Sequence, residues 1–170
     1  MTRARSTRKK SSSIGKVLPM TMQITEHFVA SEFDQPARHG FAHEAYPPFW
    51  YADRLTPLCK VLEVIRSAVG GKPIKVISGY RDPSYNEAIN GKPHSQHMAG
   101  RAADIVIADG TVTAQGLHSM ILALYNGGDI MIGGLFLYGD FVHVDVREQR
   151  PTGHLAQGDF SGDGRTASSA

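Results

Sequence analysis

The clearest pattern of apolar and polar positions lies in the segment DRLTPLCKVLEVIRSAVGG, residues 53–71. Its apolar residues recur every three or four positions, which is the spacing that places side chains on one face of an α-helix. This apolar stripe consists of Leu55, Leu58, Leu62, Ile65 and Val69. Gly70 and Gly71 follow directly and predict the end of the helix. The segment therefore predicts a helix with one face buried in a core.

Shorter patterns of both kinds follow this helix. Buried strands are predicted at IKVIS and AADIVIA, a helix at TAQGLHSMILALY, and two strands around a turn at Gly139 in GLFLYGDFVHVDVR. Ser84 and Glu87 have the spacing of a capping box and predict a short helix that begins after Pro83. The mixture predicts an α+β fold, with a small antiparallel sheet flanked by helices in one domain over residues 24–150. The Gly-, Asp- and Ser-rich stretch 151–170 predicts a loose C-terminal tail.

Composition narrows the class of protein. A chain of 170 residues is long enough to bury one core without disulfides. No apolar run reaches the roughly 18–20 residues that a membrane span requires, so none is predicted. The single cysteine, Cys59, excludes an intrachain disulfide and a thiolate metal cage. It lies on or beside the apolar face of the first helix, which predicts a small core residue rather than a nucleophile.

Charge is distributed unevenly along the chain. Residues 1–16 carry six basic residues and no acid, whereas the remainder carries 12 basic and 16 acidic residues, a net charge of −4. We therefore predict a basic, disordered tail over residues 1–23. Contact of this tail with nucleic acid is one interpretation, but a solvated extension is favoured, and no nucleic-acid partner is expected because no such motif is present. The following segment IGKVLPMTMQI is too short and broken for the apolar region of a signal peptide.

Candidate chemistry begins in SQHMAGRAAD, where His97 and Asp104 lie seven positions apart with Gly100 between them. Glycine tolerates positive φ, so the chain can fold back here and bring the imidazole close to the carboxylate. The spacing by itself is also found among ordinary solvated or hydrogen-bonded residues.

The segment FVHVDVR adds a second histidine. Alternation in a strand places the three valines on one face and His143, Asp145 and their polar neighbours on the other. Together with the earlier pair, His143 makes a set of two histidines and one carboxylate, which is typical of catalytic zinc sites that keep a fourth position open. Asp145 either orients a neighbouring group or is an exposed strand residue.

Three segments resemble the zinc D-alanyl-D-alanine carboxypeptidase family, both in their residues and in their order along the chain. They are SGYRDPSYNEAING, SQHMAGRAADI and FVHVDVR. The family core S-x-H-x-x-G-x-A-x-D is matched by Ser95, His97, Gly100, Ala102 and Asp104. The resemblance runs from about Phe28 to Arg147 and implies the hedgehog/DD-peptidase fold. The family also includes D-Ala-D-Ala dipeptidases and phage peptidoglycan endopeptidases.

The resemblance implies one zinc ion per chain, bound by His97, Asp104 and His143. It also implies that Asp140, three positions before the last histidine, is the catalytic acid and base. In a regular strand Asp140 would point away from His143, so it must lie in the turn at Gly139 or at a bulge. The alternative is a turn aspartate that stabilises its own loop.

Arg81 is the second catalytic candidate that the resemblance implies. The guanidinium would engage the substrate carboxylate or the developing oxyanion near the cleaved bond. The alternative is a structural arginine paired with Asp82 or Glu87. Ser95 and Gln96 are weaker candidates for substrate contact, since side chains this close to a metal ligand often only shape the loop.

The resulting hypothesis is a zinc peptidase that hydrolyses a bond involving a D-amino acid in peptidoglycan stem peptides, with D-Ala-D-Ala carboxypeptidase as the best match. The expected partner is peptidoglycan or a muropeptide, and the protein is expected to act on the cell wall as a monomer. The alternative is a non-catalytic, zinc-containing module that binds cell-wall peptides. Carboxypeptidase, dipeptidase and endopeptidase differ in the depth of the pocket around the metal, so the sequence leaves the three open.

Overall fold

The computed structural model describes residues 22–34, 45–148 and 153–162. The helices within these ranges are α1 (Thr56–Ala68), α2 (Pro83–Ala88) and α3 (Ala114–Gly127). The strands are β1 (Ile74–Ser78), β2 (Ala102–Ile107), β3 (Gly134–Tyr138), β4 (Val142–Asp145) and β5 (Ala156–Phe160). Short 3-10 turns span Ala30–Glu32 and Pro48–Trp50, and a π-helical turn over Tyr51–Leu55 leads into α1.

The five strands form one sheet in the order β1-β2-β4-β3-β5. The first four pair with antiparallel neighbours, and β5 adds to β3 in parallel. Helices α1 and α3 pack with the strands in one apolar cluster. The predicted α+β fold with a small, mostly antiparallel sheet flanked by helices is confirmed.

The apolar stripe of α1 lies in this core. Leu55, Leu58, Leu62 and Ile65 are fully buried, and the helix ends before two glycines that both have positive φ. Cys59 is a free, buried thiol, and burial raises the pKa of its sulfhydryl. Its predicted position in the core is therefore confirmed.

The prediction of a loose tail is wrong where β5 lies. Ala156–Phe160 pairs residue by residue with Gly134–Tyr138, and Phe160 stacks on two aromatic rings of β3. The half-buried positions of AQGDF are one alanine, one glycine and one phenylalanine, which is too weak an apolar pattern to indicate a strand. The strand forms through its pairing with β3 and its ring contacts, which involve residues far away in sequence. Residues 163–170 lie outside the described part of the chain.

The start of α2 also differs from the prediction. The N-cap is Asp82, whose Oδ1 accepts from the backbone N–H of Tyr85 at 2.9 Å and from the hydroxyl of Ser84 at 2.6 Å. Pro83 occupies the first helical turn, where a missing N–H costs nothing, so the cap falls on the residue before it.

Most of the predicted basic tail, residues 1–21, lies outside the described ranges, and its disorder stays a prediction. Residue 23 belongs to the ordered chain, because Gln23 forms a β-bridge with Val29. Among the described residues, no helix has the length and apolar character that crossing a membrane would require.

Candidate metal centre

Three side chains that the sequence singled out meet on one face of the sheet, where β2 pairs with β4. Asp104 on β2 and His143 on β4 are direct cross-strand partners, and His97 lies in the turn that leads into β2. His97 Nε2 is 3.1 Å from Asp104 Oδ1 and 3.1 Å from His143 Nδ1, and the last two atoms are 2.8 Å apart. All three residues are buried.

The far nitrogen of each imidazole is held by a protein acceptor. His97 Nδ1 donates to the carbonyl of Gly79 at 2.6 Å, and His143 Nε2 donates to Asp145 Oδ2 at 3.2 Å. His97 therefore turns the lone pair of Nε2 toward the shared point, and His143 presents the lone pair of Nδ1 there once the proton on that nitrogen has left.

This donor set fits a zinc ion. Nε2 of His97, Nδ1 of His143 and a carboxylate oxygen converge, and a cation at this point would take a lone pair from each neutral ring and neutralise the carboxylate. A tetrahedral zinc with bonds of about 2.0–2.1 Å needs donor atoms about 3.3 Å apart, within a few tenths of an ångström of the separations observed. Among the residues that the structure describes, His97, Asp104 and His143 are the group whose ligand atoms could hold a metal ion.

The protonation states match this role. Burial lowers the pKa of His97 to about 4, and the Arg81 guanidinium acts in the same direction, so the ring is neutral at pH 7. Burial also disfavours the charged form of Asp104, but the facing imidazoles outweigh it and hold the pKa of the carboxyl well below its usual range. Burial lowers the pKa of His143, but Asp104 and Asp145 outweigh it and raise the pKa to about 9. A metal must therefore displace a proton from His143 on binding.

The loop that carries His97 is fixed by backbone geometry and by aromatic residues. Gly100 has φ of +65°, as the fold-back in the sequence requires, and its N–H donates to the carbonyl of His97 at 3.0 Å. The hydroxyl of Tyr46 donates to the carbonyl of Gly100. A Cβ at Gly100 would lie 2.8 Å from that hydroxyl and 3.0 Å from the ring of Trp50. Only glycine fits this position without displacing both side chains.

Asp145 is fully buried, so the alternative of an exposed strand residue is wrong. One of its oxygens accepts from His143, and both accept from Arg147, whose Nε lies 2.7 Å from Oδ1. A Cβ on Gly134, the strand neighbour of Asp145, would overlap the Asp145 carboxylate. Asp145 orients the ring of His143, a metal-ligand candidate, and the glycine makes room for the charge pair that holds Asp145 in place.

Arg81 is anchored beside the ligands. Its Nε and Nη2 donate to the hydroxyl of Ser78 at 2.9 and 2.7 Å, and Nη2 also donates to Asp104 Oδ2 at 2.8 Å. Its ion pair is thus formed with a metal-ligand candidate, whereas the sequence had offered Asp82 or Glu87 as structural partners. The second carboxylate oxygen of Asp104 is occupied, which leaves Oδ1 for a metal.

A cavity of about 660 Å³ opens above the three ligand candidates. Arg81, Ser95 and Gln96 line it together with the ligands. Ser95 also shapes the loop, since its hydroxyl accepts from the N–H of His97 at 3.3 Å. Asp140 is exposed in the bend between β3 and β4 and is not among the residues that line the cavity.

The sequence analysis missed several residues of the cavity wall: Lys92, Phe136, Tyr138, Arg147 and Phe160. Three of them were within reach. A hairpin that turns at residues 139–140 pairs Phe136 with His143 across the strands, as observed, and places Tyr138 two residues along on the same face. Alternation in FVHVDVR places Arg147 on the face that carries His143. Lys92 and Phe160 carried no signal that a single sequence offers.

Comparison with known proteins agrees with this geometry. The family model described as peptidase M15 matches residues 26–145. A zinc D-Ala-D-Ala carboxypeptidase of Streptomyces albus G is 34% identical over 85 residues, which are 49% of this chain. The match spans 31% of the length of that relative. The family match contains strands β1 to β4 and the three metal-ligand candidates, and the chain belongs to the peptidase M15 family.

Proposed function

We propose that the protein is a zinc-dependent peptidase that hydrolyses a peptide bond involving a D-amino acid in peptidoglycan stem peptides, with D-Ala-D-Ala carboxypeptidase activity. One observation carries the proposal. His97 Nε2 and His143 Nδ1 converge with Asp104 Oδ1 at the floor of a cavity of about 660 Å³, in a chain of a peptidase family. The activity for which the Streptomyces albus G relative is named supports the choice of substrate.

His97, Asp104 and His143 would hold one zinc ion, which when bound activates water and polarises a carbonyl. The chain's own residues prepare this site. The Gly79 carbonyl and Asp145 fix the two imidazole tautomers, and Arg81 holds the Asp104 carboxylate from its other side. Ligands that are oriented in advance lower the cost of organising the reaction.

Asp140 is the proposed proton acceptor for the attacking water and proton donor to the leaving amine. Its place in the chain supports this role, because the next residue, Phe141, lines the cavity. Its carboxylate is exposed at the β3–β4 bend, so catalysis requires the bend to bring it over the metal. Side chains of this kind often reach their working geometry only when the substrate is bound.

Arg81 is the proposed partner of the substrate carboxylate or the developing oxyanion. Two of its nitrogens are engaged with Ser78 and Asp104, and no described residue accepts a hydrogen bond from Nη1. Removal of such a donor typically lowers the rate by about 10²–10³. Ser95 and Gln96, which line the cavity beside it, are proposed to contact the substrate backbone.

The function is tested by incubating zinc-loaded protein with purified muropeptides and identifying the products by mass spectrometry. We expect loss of one terminal D-alanine. A cut inside the stem or cross-bridge would keep the peptidase and replace the carboxypeptidase assignment. No cleavage by zinc-loaded protein would contradict the enzyme.

The role of Asp140 is tested by Asp140→Asn. The amide is nearly isosteric but cannot accept a proton at neutral pH, so we expect kcat to fall by about 10²–10⁴ with zinc content unchanged. Asp129→Asn is the matched control, because Asp129 is also an exposed turn aspartate and does not line this cavity. Equal turnover by wild type and Asp140→Asn would mean that another group moves the proton.

One observation favours a second candidate function, a zinc-containing module that binds cell-wall peptides without cleaving them. The proposed base does not line the cavity, whereas the groups that would recognise a ligand do. The two candidates separate in one experiment. A module binds muropeptides to zinc-loaded protein with no product at any enzyme concentration, whereas an enzyme releases D-alanine.

A further inference from the structure

The cavity has an aromatic wall, formed by Phe136, Tyr138 and Phe160, that leads away from the metal ligands. The ring of Phe136 meets the ring of His143 edge to face with centroids 5.6 Å apart. Phe160 stacks on Phe136 at 6.0 Å and on Tyr138 at 5.5 Å. All three wall residues are half-buried and line the cavity, so they offer apolar surface to a ligand that reaches beyond the metal.

This wall depends on a segment outside the family match. The family model ends at residue 145, whereas Phe160 lies on β5. Gly158, on the same strand, pairs with Phe136, and a Cβ there would lie 3.0 Å from the Phe160 ring and 3.3 Å from the Phe136 ring. The glycine therefore permits the two rings to stack across the parallel pair.

Lys92 stands at the far end of the wall. Its Nζ lies 5.7 Å from the centroid of Phe160, within the range of a cation–π contact. Its backbone is held in place, because its carbonyl accepts from Asn86 Nδ2 at 3.1 Å and from the N–H of Ser95 at 3.1 Å. The buried side chain of Asn86 thus fixes the loop that presents the ammonium group.

The charges of the cavity distinguish Lys92 from its neighbours. Arg81 is paired with Asp104, and Arg147 with Asp145. Within the described ranges, Lys92 is the cavity-lining lysine or arginine without an ion pair, and Asp104 is the one carboxylate of the lining. The far end of the cavity thus carries a positive charge that a ligand can neutralise.

We propose that the aromatic wall and Lys92 form a second substrate-binding region, which takes a free carboxylate on an acidic residue of the stem peptide, on the N-terminal side of the cleaved bond. The inference rests on the proposed function. Ring contacts lead from His143 through Phe136 and Phe160 to Lys92, whereas a terminal D-alanine carboxylate is one residue, about 3.5 Å of chain, past the bond. The ammonium of Lys92 is therefore matched to a remote carboxylate rather than to the terminal one.

The test uses two synthetic peptides that end in D-Ala-D-Ala and differ at one group. An acidic residue three positions before the cleaved bond carries a free carboxylate in the first peptide and a primary amide in the second. Wild type is expected to show a KM about fivefold lower for the acid at low salt, with similar kcat. The difference should shrink as ionic strength rises, because salt screens an exposed pair.

Lys92→Gln is expected to abolish this preference by raising KM for the acid alone. Lys75→Gln is the matched control, because Lys75 is an exposed lysine on β1 outside the cavity lining, and it should keep the preference. Phe160→Leu, which keeps apolar volume but removes the ring, should raise KM for both peptides. A thermal unfolding curve for each variant separates these effects from loss of β5.

Two results overturn the inference while the proposed function stands. The first is that wild type cleaves the acid and the amide peptide with the same KM, and that Lys92→Gln leaves this KM unchanged. The second is seen with a third peptide that has a C-terminal amide and the free side-chain carboxylate. If its equilibrium binding has lost all dependence on Lys92, the lysine binds the terminal carboxylate instead. If no peptide is cleaved, the proposed function fails, and the binding preference of zinc-loaded protein for the acid over the amide still decides the role of Lys92.

Discussion

The two ends of the cavity differ in how their polar groups are paired. At the metal end, Asp104 and Asp145 each bind both a histidine and an arginine, and both carboxylates are buried. At the other end, Lys92 is exposed and contacts only the face of an aromatic ring among the partners described for its side chain. A fully paired buried network holds one geometry, whereas an exposed side chain on an apolar wall can adjust to a ligand. The contrast agrees with the two proposals, which place the chemistry at the first end and selection of the substrate at the second.

The largest effect is expected where the pairing is densest. His143→Ala removes a proposed metal ligand and leaves Asp145 without its imidazole donor. We expect loss of stoichiometric zinc, measured by elemental analysis, and loss of all peptidase activity. His118→Ala is the control, because His118 lies on α3, outside the cavity lining. Retention of one zinc per chain by His143→Ala would mean that the metal is held by other residues.

Asp145→Asn separates orientation of a ligand from ligation itself. The amide removes the charge that fixes the tautomer of His143 and the pairing with Arg147. Loss of such a supporting carboxylate typically lowers metal affinity by about 10–100-fold, and we expect a loss in that range in a zinc competition titration. Asp159→Asn, an exposed aspartate on β5, should leave zinc affinity unchanged. Equal affinities for wild type and Asp145→Asn would show that His143 needs no such support.

The same contrast explains which parts of the site the sequence revealed. His97 and Asp104 lie in one turn and the strand that follows it, and Gly100 allows them to meet, but the spacing alone is also typical of ordinary residues, so the resemblance was needed to select the pair. His143 followed from strand alternation, since β2 and β4 are regular antiparallel neighbours. Local pattern and resemblance together identified the metal end, because the buried network is built from short segments with strong patterns.

The far end was hidden because it depends on contacts between distant segments. Phe160 reaches the cavity only because β5 pairs in parallel with β3, and the alternation of AQGDF is weak because two of its three half-buried positions are alanine and glycine. Lys92 lies in a loop whose position is set by the buried side chain of Asn86. The same limit applied to α2, where the resemblance covered the segment but the spacing of Ser84 and Glu87 indicated the wrong cap. Asp82 is the N-cap because Pro83 occupies the first turn of the helix.

The smallest effect is expected at a cluster that is as densely paired as the metal end but lies elsewhere. Glu63 on α1 accepts from the Thr25 hydroxyl at 2.7 Å, from the N–H of His27 at 2.8 Å and from the His27 ring at 2.8 Å. It thereby ties the N-terminal segment to the helix. Glu63→Gln should cost about 1–2 kcal/mol and lower Tm by roughly 3–8 °C, with zinc content and kinetic constants unchanged.

The effect of Glu63→Gln should depend on pH. Burial raises the pKa of Glu63, but the hydrogen bonds from Thr25 and His27 outweigh it and lower the pKa below the ordinary value of 4.5. A carboxyl with a lowered folded-state pKa stabilises the protein above its unfolded pKa, and this contribution is lost as the pH falls through the folded value. The Tm difference between wild type and Glu63→Gln should therefore be full at pH 7 and shrink below about pH 4.

Glu87→Gln, at an exposed position on α2, should show no such difference at either pH. Equal Tm values for wild type and Glu63→Gln at pH 7 would mean that this cluster contributes nothing to the fold. A loss of zinc in Glu63→Gln would instead mean that the N-terminal segment supports the metal end. The contact that could carry this effect is the hydrogen bond from the N–H of Tyr80 to the carbonyl of Phe33, at 2.9 Å.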